Sequence, residues 1–241
     1  MIKVGIVGMG IRGTLFADTL AQNPYAEVVA VSDSNRERLE EKAGQYGVRG
    51  YADSGEMIEK ERLDAVIIST PDFTHCVPVL QAAAKGIAIL VEKPFSTSVA
   101  EAEKMYAAVE KAGVICMVAF ENRWNPPFVA VHNAVANGEI GGVLTLNSRL
   151  NDTIYVPTGM LRWSGGSTPG WFLLPHALDI AMWLKAGVRP VKAYASGTRK
   201  KLVSMGIETY DSIQAIVSFE DGTSAGFSTQ LGFAGIHAAD I

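Results

Sequence analysis

The sequence is poor in cysteine, in aromatic residues and in charge of either sign. Its two cysteines, Cys76 and Cys116, lie far apart among apolar neighbours, too few and too dispersed for a disulfide framework or a thiolate metal site. The four histidines are equally scattered, and no His-Glu-x-x-His or Cys-x-x-Cys spacing occurs, so no metal centre is expected. Charged residues make up 19% of the chain, with 21 basic against 25 acidic side chains and a formal net charge of −4. The longest basic run is Arg199-Lys200-Lys201. That balance carries no footprint for a phosphate backbone and argues against a nucleic-acid partner. No apolar run approaches the roughly 18 residues of a membrane span; the longest, such as Val114 to Phe120, are strand-sized. Met1-Ile-Lys-Val-Gly-Ile-Val7 lacks the basic region and cleavage site of a secretory signal, so no membrane partner is expected and the cytoplasm is the default compartment.

What is present is apolar: 48% of 241 residues, enough for a substantial core in one or two domains and too much for disorder. From residue 1 to about 120, short Val/Ile/Ala runs alternate with segments of helical period. The strand candidates are Ile2 to Val7, Glu27 to Ser32, Ala65 to Ser69, Ile87 to Val91 and Val114 to Ala119. None alternates strictly, as expected of strands buried on both faces. Between them Ile11 to Gln22, Asn35 to Tyr46, Phe73 to Lys85 and Ser98 to Lys111 read as helices, with Lys85-Gly86 and Lys111-Ala-Gly113 as cationic, glycine-terminated ends. Regular alternation predicts a doubly wound parallel sheet over residues 1–121.

Residues 122–241 read as a second, α+β domain. Pro126-Pro127 opens a helix to about Ala136, which Asn137-Gly138 ends. Strand candidates follow at Val143 to Leu150, Val191 to Ser196, Ser212 to Phe219 and Thr223 to Leu231. In the third of these Ile213, Ala215, Val217 and Phe219 share one parity, which predicts a sheet covered on one face, and Asp221-Gly222 is a hairpin turn signal. A long irregular stretch, Asn151 to Gly170, precedes a helix from Phe172 to Lys185; a loop of that length is more often functional than idle.

Gly8-Met-Gly10-Ile-Arg-Gly13 follows a strand directly and opens a helix. Its glycines suit a tight turn, close approach of a pyrophosphate and helix–strand packing, and the helix N-terminus favours an anion. Asp33 stands 20 residues past Gly13 at the end of the second strand, where a carboxylate can accept from an adenosine ribose. Its charge opposes the 2′-phosphate of NADP, so NAD is favoured, although Arg36 and Arg38 soften that exclusion. Ser69-Thr-Pro-Asp-Phe-Thr-His75 and Glu92-Lys93-Pro94 close the next two main strands at the carboxyl edge, where open α/β sheets bind ligands. Each also fits a plain strand end, by a helix cap or a surface ion pair. A partly desolvated Lys93 could exchange a proton with a substrate hydroxyl. His176 and Asp179 sit at i and i+3 on one helix face, a pattern of a hydrogen-bonded core histidine or of an oriented proton-transfer group. Arg162 and Trp163 are candidates for lining a substrate pocket, Trp163 through its ring face, with core packing as the alternative.

Taken in order, the glycine fingerprint, Thr70-Pro-Asp-x-x-His75, Glu92-Lys93-Pro94, Asn122-Arg123 and His176-x-x-Asp179 resemble the Gfo/Idh/MocA oxidoreductases over essentially the whole chain. The resemblance implies a Rossmann domain followed by a domain with an open, mostly antiparallel sheet, NAD or NADP, and a sugar or polyol substrate. It implies that Gly8, Gly10 and Gly13, with the intervening Ile11 and Arg12, meet the pyrophosphate and Asp33 the ribose. Thr70, Pro71, Asp72 and His75 would line the cofactor cleft, Glu92 and Lys93 would meet the nicotinamide riboside, and Arg123 would lie near the nicotinamide end. Lys93 and His176 would be the proton-transfer pair; beside what the resemblance implies, Lys93, Arg162, Trp163, His176 and Asp179 are the expected substrate-binding residues. Antiparallel sheets with one open face often pair in homo-oligomers of this family, so self-association is an expectation here.

Two departures stand out. The position four before His176, where many relatives carry aspartate, is Phe172, and the chain stops after Gly235-Ile-His-Ala-Ala-Asp-Ile241, short of the family's usual length. A truncated chain with an unfinished sheet is expected. The expected function is hydride transfer between nicotinamide and a hydroxyl-bearing carbon of a sugar or polyol. The alternatives are an NAD-dependent glycosidase of the same family and a dinucleotide-binding regulator that has lost catalysis.

Overall fold

The computed structural model describes residues 1–233, in two units, Met1–Ala119 and a second that begins at Phe120. The abrupt ending proposed from Gly235 to Ile241, including His237, lies outside the described residues.

The first unit is a six-stranded sheet: β1 (Ile2–Val7), β2 (Ala26–Ser32), β3 (Arg49–Tyr51), β4 (Ala65–Ile68), β5 (Ala88–Val91) and β6 (Cys116–Val118). The order is β3-β2-β1-β4-β5-β6 and every pair is parallel, the doubly wound order that reverses between β1 and β4. The helices are α1 (Ile11–Ala21), α2 (Arg36–Tyr46), α3 (Ser54–Lys60), α4 (Cys76–Ala84) and α5 (Val99–Ala112). Local chemistry starts and stops them. Asn35, Asp53 and Ser98 accept from the backbone N–H three residues on, and Gly47 and Gly113 end α2 and α5 in the left-handed conformation.

Two apolar layers cover the sheet. One gathers Val66, Ile68, Val79, Ile89, Val91 and Met105, the other Val4, Ile6, Val31, Leu39 and Ile67. Both parities of β4 are therefore buried, which is why its run does not alternate. Each such side chain contributes about 1.5–3 kcal/mol on burial. The strand Arg49–Tyr51 and helix Ser54–Lys60 escape sequence reading, because three residues on a sheet edge and seven in a polar helix carry almost no periodicity.

The second unit carries α6 (Pro126–Ala136), β7 (Thr145–Thr153), α7 (Pro169–Phe172), α8 (Leu174–Leu184), β8 (Pro190–Thr198), α9 (Lys201–Ser204), β9 (Ser212–Phe219) and β10 (Ser224–Phe233). Its four-stranded sheet has the order β7-β10-β9-β8. β8–β9 and β9–β10 are antiparallel, but β10 pairs with β7 in parallel, so the sheet is mixed. Ala215, Val217, Phe219, Ala225 and Phe227 pack on Ala177 and Ala181 of α8, while Gln214 and Ile216 of the other parity face outward. Two expectations need correction. The stretch from Asn151 to Gly170 is not wholly irregular: β7 runs to Thr153, and short helical turns occupy Val156–Met160 and Ser164–Gly166. The helix expected from Phe172 is broken at Leu173. Pro175 has no N–H to continue the α7 ladder and suits the first turn of a new helix instead.

Candidate functional site

In the first unit, sheet register lines up the expected cofactor residues. Val7 pairs with Ile68 and Ile68 with Val91. The N–H groups just past the strands continue the row: Gly8 donates to Ser32 O at 2.7 Å, Ser69 to Val7 O at 2.8 Å and Glu92 to Ile68 O at 2.8 Å. Gly8, Ser69 and Glu92 are thus neighbours at the carboxyl edge, beside the point where strand order reverses.

The three fingerprint glycines have different reasons to be glycine. Gly8 has φ of 89°, and a Cβ there would come within 2.8 Å of Ser69 O. A Cβ on Gly13 would lie 1.9 Å from Gly8 O, so this position lets α1 sit against the loop. Gly10, which precedes α1, would meet nothing within 4 Å, and no side chain caps the helix. That leaves open space at a helix N-terminus, a cradle in which an anionic group fits and a side chain would intrude. The hydroxyl of Thr70 adds a second sign of fit: among the described residues it is buried without a hydrogen-bond partner, the state of a donor held for a ligand.

Asp33 is 5% exposed. Its Oδ2 accepts from Met9 N at 2.8 Å and Arg38 Nε at 2.7 Å, and its Oδ1 from Asn35 N at 2.8 Å and Arg38 Nη2 at 2.7 Å. Burial pushes the carboxyl up, but the bonds from Arg38, Asn35 and Met9 outweigh it and hold Asp33 below the usual carboxylate range. Arg36 instead pairs with exposed Glu40. The two arginines treated alike in the sequence therefore separate, because only position 38 lies within reach of Asp33 from the first turn of α2.

Arg12 Nε donates to Glu92 Oε1 at 2.6 Å, and Glu92 Oε2 accepts from Lys93 N at 3.2 Å. Half-buried Lys93 precedes a cis peptide bond to Pro94. His75 is 1% exposed, and its ring nitrogens lie 2.9 Å from Pro94 O and 3.1 Å from Thr70 O. The ring lies between the Thr70 turn and the Lys93-Pro94 turn, and since both neighbours are carbonyl oxygens, only a ring nitrogen that carries a proton can donate to the one it faces. Asp72 is also buried, Pro71 half-buried and Ile11 exposed.

In the second unit, the short helical turn Glu121–Trp124 and α8 carry the polar residues. Arg123 donates from Nε to Asp179 Oδ2 at 2.8 Å and from Nη2 to Oδ1 at 2.6 Å. That bond raises the Arg123 guanidinium above its ordinary value, against the opposing effect of burial. Asp179 is therefore engaged by Arg123, where the i, i+3 spacing suggested it would orient His176. The carboxylate beside His176 is Glu121, with Oε1 3.8 Å from Nδ1. No sequence motif marks Glu121; only its position next to Asn122-Arg123 could have drawn attention. Arg123 also lies 5.9 Å over the Trp183 ring, which stacks on His132 at 4.0 Å.

Trp163 meets Phe172 edge to face with centroids 6.0 Å apart, and both line a small apolar recess with Val156, Leu161 and Leu231. Arg162 is exposed. A cavity of about 410 Å³ lies on the outward face of the second sheet, between Arg149, Tyr194, Gln214 and Ile216. No group of three or more metal-ligating side chains occurs among the described residues, and none of their helices is long and apolar enough to cross a membrane.

Residues 2–120 match the oxidoreductase family with an NAD-binding Rossmann fold, and residues 128–237 match the GFO/IDH/MocA C-terminal domain. The chain is 32% identical over 198 residues to myo-inositol 2-dehydrogenase of Thermotoga maritima, covering 82% of this chain and 58% of that protein. It is 32% identical to scyllo-inositol 2-dehydrogenase (NAD(+)) of Bacillus subtilis, covering 76% and 54%. With an inositol 2-dehydrogenase of Rhizobium meliloti the identity is 30%, over 93% of this chain and 67% of the relative. The chain thus spans a little over half the length of the first two. Among solved structures, scyllo-inositol dehydrogenase of Lactobacillus casei with NAD(H) and scyllo-inositol shares the fold at a TM-score of 0.87 and 22% identity, over 98% of this chain and 72% of that one. With a glycine cradle, a carboxylate and a Glu-Lys-Pro turn on one sheet edge, and both halves matched in order, the chain belongs to the Gfo/Idh/MocA oxidoreductase family.

Proposed function

We propose that the chain is an NAD-dependent oxidoreductase acting on a hydroxyl-bearing carbon of a cyclic polyol or sugar. The observation that carries this reading is the open space at Gly10, two residues past the Gly8, Ser69 and Glu92 row at the carboxyl edge of the sheet. When bound, the dinucleotide supplies the hydride acceptor or donor. The first turn of α1 with Gly8, Gly10, Ile11, Arg12 and Gly13 would hold its pyrophosphate. Asp33 would take the adenosine ribose, its charge favouring NAD, with Arg38 tempering the rejection of a 2′-phosphate. Thr70, Pro71 and Asp72 would line the cofactor, His75 would brace them, and Arg123 would serve the nicotinamide end.

Lys93 would take the hydroxyl proton as the carbon is oxidised, and His176 would be the second proton-transfer group. Arg162, Trp163 and Asp179 remain the proposed substrate-side residues, Asp179 through its hold on Arg123. The inositol dehydrogenases among the relatives support a cyclic polyol as substrate. The outward sheet face around Tyr194 and Ile216, 71% and 55% exposed, is proposed as a self-association surface.

A second reading, a dinucleotide-binding regulator without catalysis, draws on one observation: Phe172, at the position where many dehydrogenases of the family carry aspartate, packs on Trp163. Titration with NADH and separately NADPH, followed by nicotinamide emission, tests the main reading. Saturable binding, tighter for NADH, is expected, followed by NAD reduction with inositols. Binding without hydride transfer to any polyol would favour the regulator, and a folded protein that binds neither nucleotide would overturn both.

A further inference from the structure

His176, near the start of α8, keeps only 13% of its side chain exposed, and Glu121 Oε1 stands 3.8 Å from its Nδ1. That is an ion-pair distance, longer than a hydrogen bond, so the carboxylate acts on the ring through its charge. Among the described residues, the elements packed against α8 carry few other charges. Asp179, one turn further along, has both oxygens on Arg123, and the two opposite charges offset one another. His132 of α6 stacks on Trp183. Asp152 of β7 shares the parity of Leu146 and Leu150, which pack inward. α7 and the described side chains of β10 carry no ionisable group. Phe172, the last residue of α7, is packed on Trp163.

We infer that Glu121 is a positioning residue for His176, a carboxylate that strengthens its hold on a proton. The inference rests on the reading of His176 as a proton-transfer group. A carboxylate at this distance in a half-buried setting favours the imidazolium, so that the ring holds a proton taken from a hydroxyl until water collects it. Glu121 thereby does from a neighbouring turn what an acidic residue on α8 itself would do. It sits half-exposed on a short turn, with 48% of its side chain accessible, so replacing it leaves the core alone.

The test is an NMR titration of the His176 ring in the chain without cofactor, its signals assigned by their loss in His176→Asn. Glu121→Gln is expected to lower the His176 midpoint by roughly half a pH unit or more at low salt. Glu121→Asp should restore part of that, and Asp152→Asn should leave the midpoint in place. In the unsubstituted protein, added salt should lower the midpoint in the same direction, a check that needs no variant. A midpoint unmoved by Glu121→Gln and by salt, one moved instead by Asp152→Asn, or a ring that never titrates would each overturn the inference. Because the measurement involves no nucleotide, its failure is distinct from failure to bind NADH, which would strike the proposed function instead.

Discussion

Arg12 Nε donates to Glu92 Oε1 at 2.6 Å across 80 residues of sequence, joining the helix that opens the glycine loop to the turn that carries Lys93. The Glu92 side chain is 6% exposed and that of Arg12 39%, so the pair is a buried carboxylate with a partly solvated cation. Removing the cation leaves the carboxylate short of a partner, which costs more than the pair's own net contribution. Arg12→Met is expected to lower the unfolding free energy by about 1–3 kcal/mol, with Arg12→Met/Glu92→Gln losing less than the sum of the single changes. Urea melts of the four proteins measure the coupling, and strict additivity would show that the two side chains do not support each other.

The glycines at positions 10 and 13 should fail in different ways. A Cβ on Gly10 enters open space, whereas one on Gly13 would strike Gly8 O. Gly10→Ala is expected to leave the melting transition within about 0.5 kcal/mol while weakening NADH binding tenfold or more, at least roughly 1.4 kcal/mol. Gly13→Ala should lower both. Equal NADH affinity in Gly10→Ala and the parent would mean that this space is not where the dinucleotide lies.

Asp33 predicts a pH dependence with a definite sign. Its carboxyl is held below the usual range in the folded chain. Its bonds therefore stabilise fully above the unfolded value of about 3.9, and the contribution fades as pH falls through the folded value. Asp33→Asn is expected to lose about 1–3 kcal/mol near neutrality, an upper range because Arg38 is partly exposed and screened. The gap between the two proteins should be flat from about pH 5 to 8 and close below about pH 4. Thermal melts across that range measure it, and a gap that widens in acid would contradict the assignment.

Lys93→Ala is expected to cut polyol oxidation by roughly a hundredfold or more, while NADH binding stays within a few-fold. Steady-state turnover with an inositol beside a fluorescence titration separates the two effects. Near-normal turnover in the variant would remove Lys93 from the proton-transfer role.

Much of the first unit was legible because its determinants are local in sequence. Runs such as Ile2–Val7 and Ala65–Ile68 announce strands buried on both faces, and Asn35, Ser98 and Gly113 punctuate helices by their own hydrogen bonds and backbone freedom. The fingerprint glycines were readable for the same reason: what they permit is a property of a few consecutive residues. Lone short elements such as Arg49–Tyr51 were not readable, since they are held by their neighbours and not by a pattern of their own.

What each charged side chain pairs with was decided only by the fold. Arg36 and Arg38 look interchangeable in the chain, yet only Arg38 reaches Asp33. Asp179 stands one helical turn from His176, yet it is taken by Arg123, 56 residues earlier, and Glu121 becomes the nearby acid. The sequence by itself determined which segments become strands, helices and glycine turns, because those depend on periodicity and on local backbone chemistry. The tertiary structure decided the ion pairs, because an interaction a few ångströms long between residues far apart in sequence exists only once strand register and helix packing have brought them together.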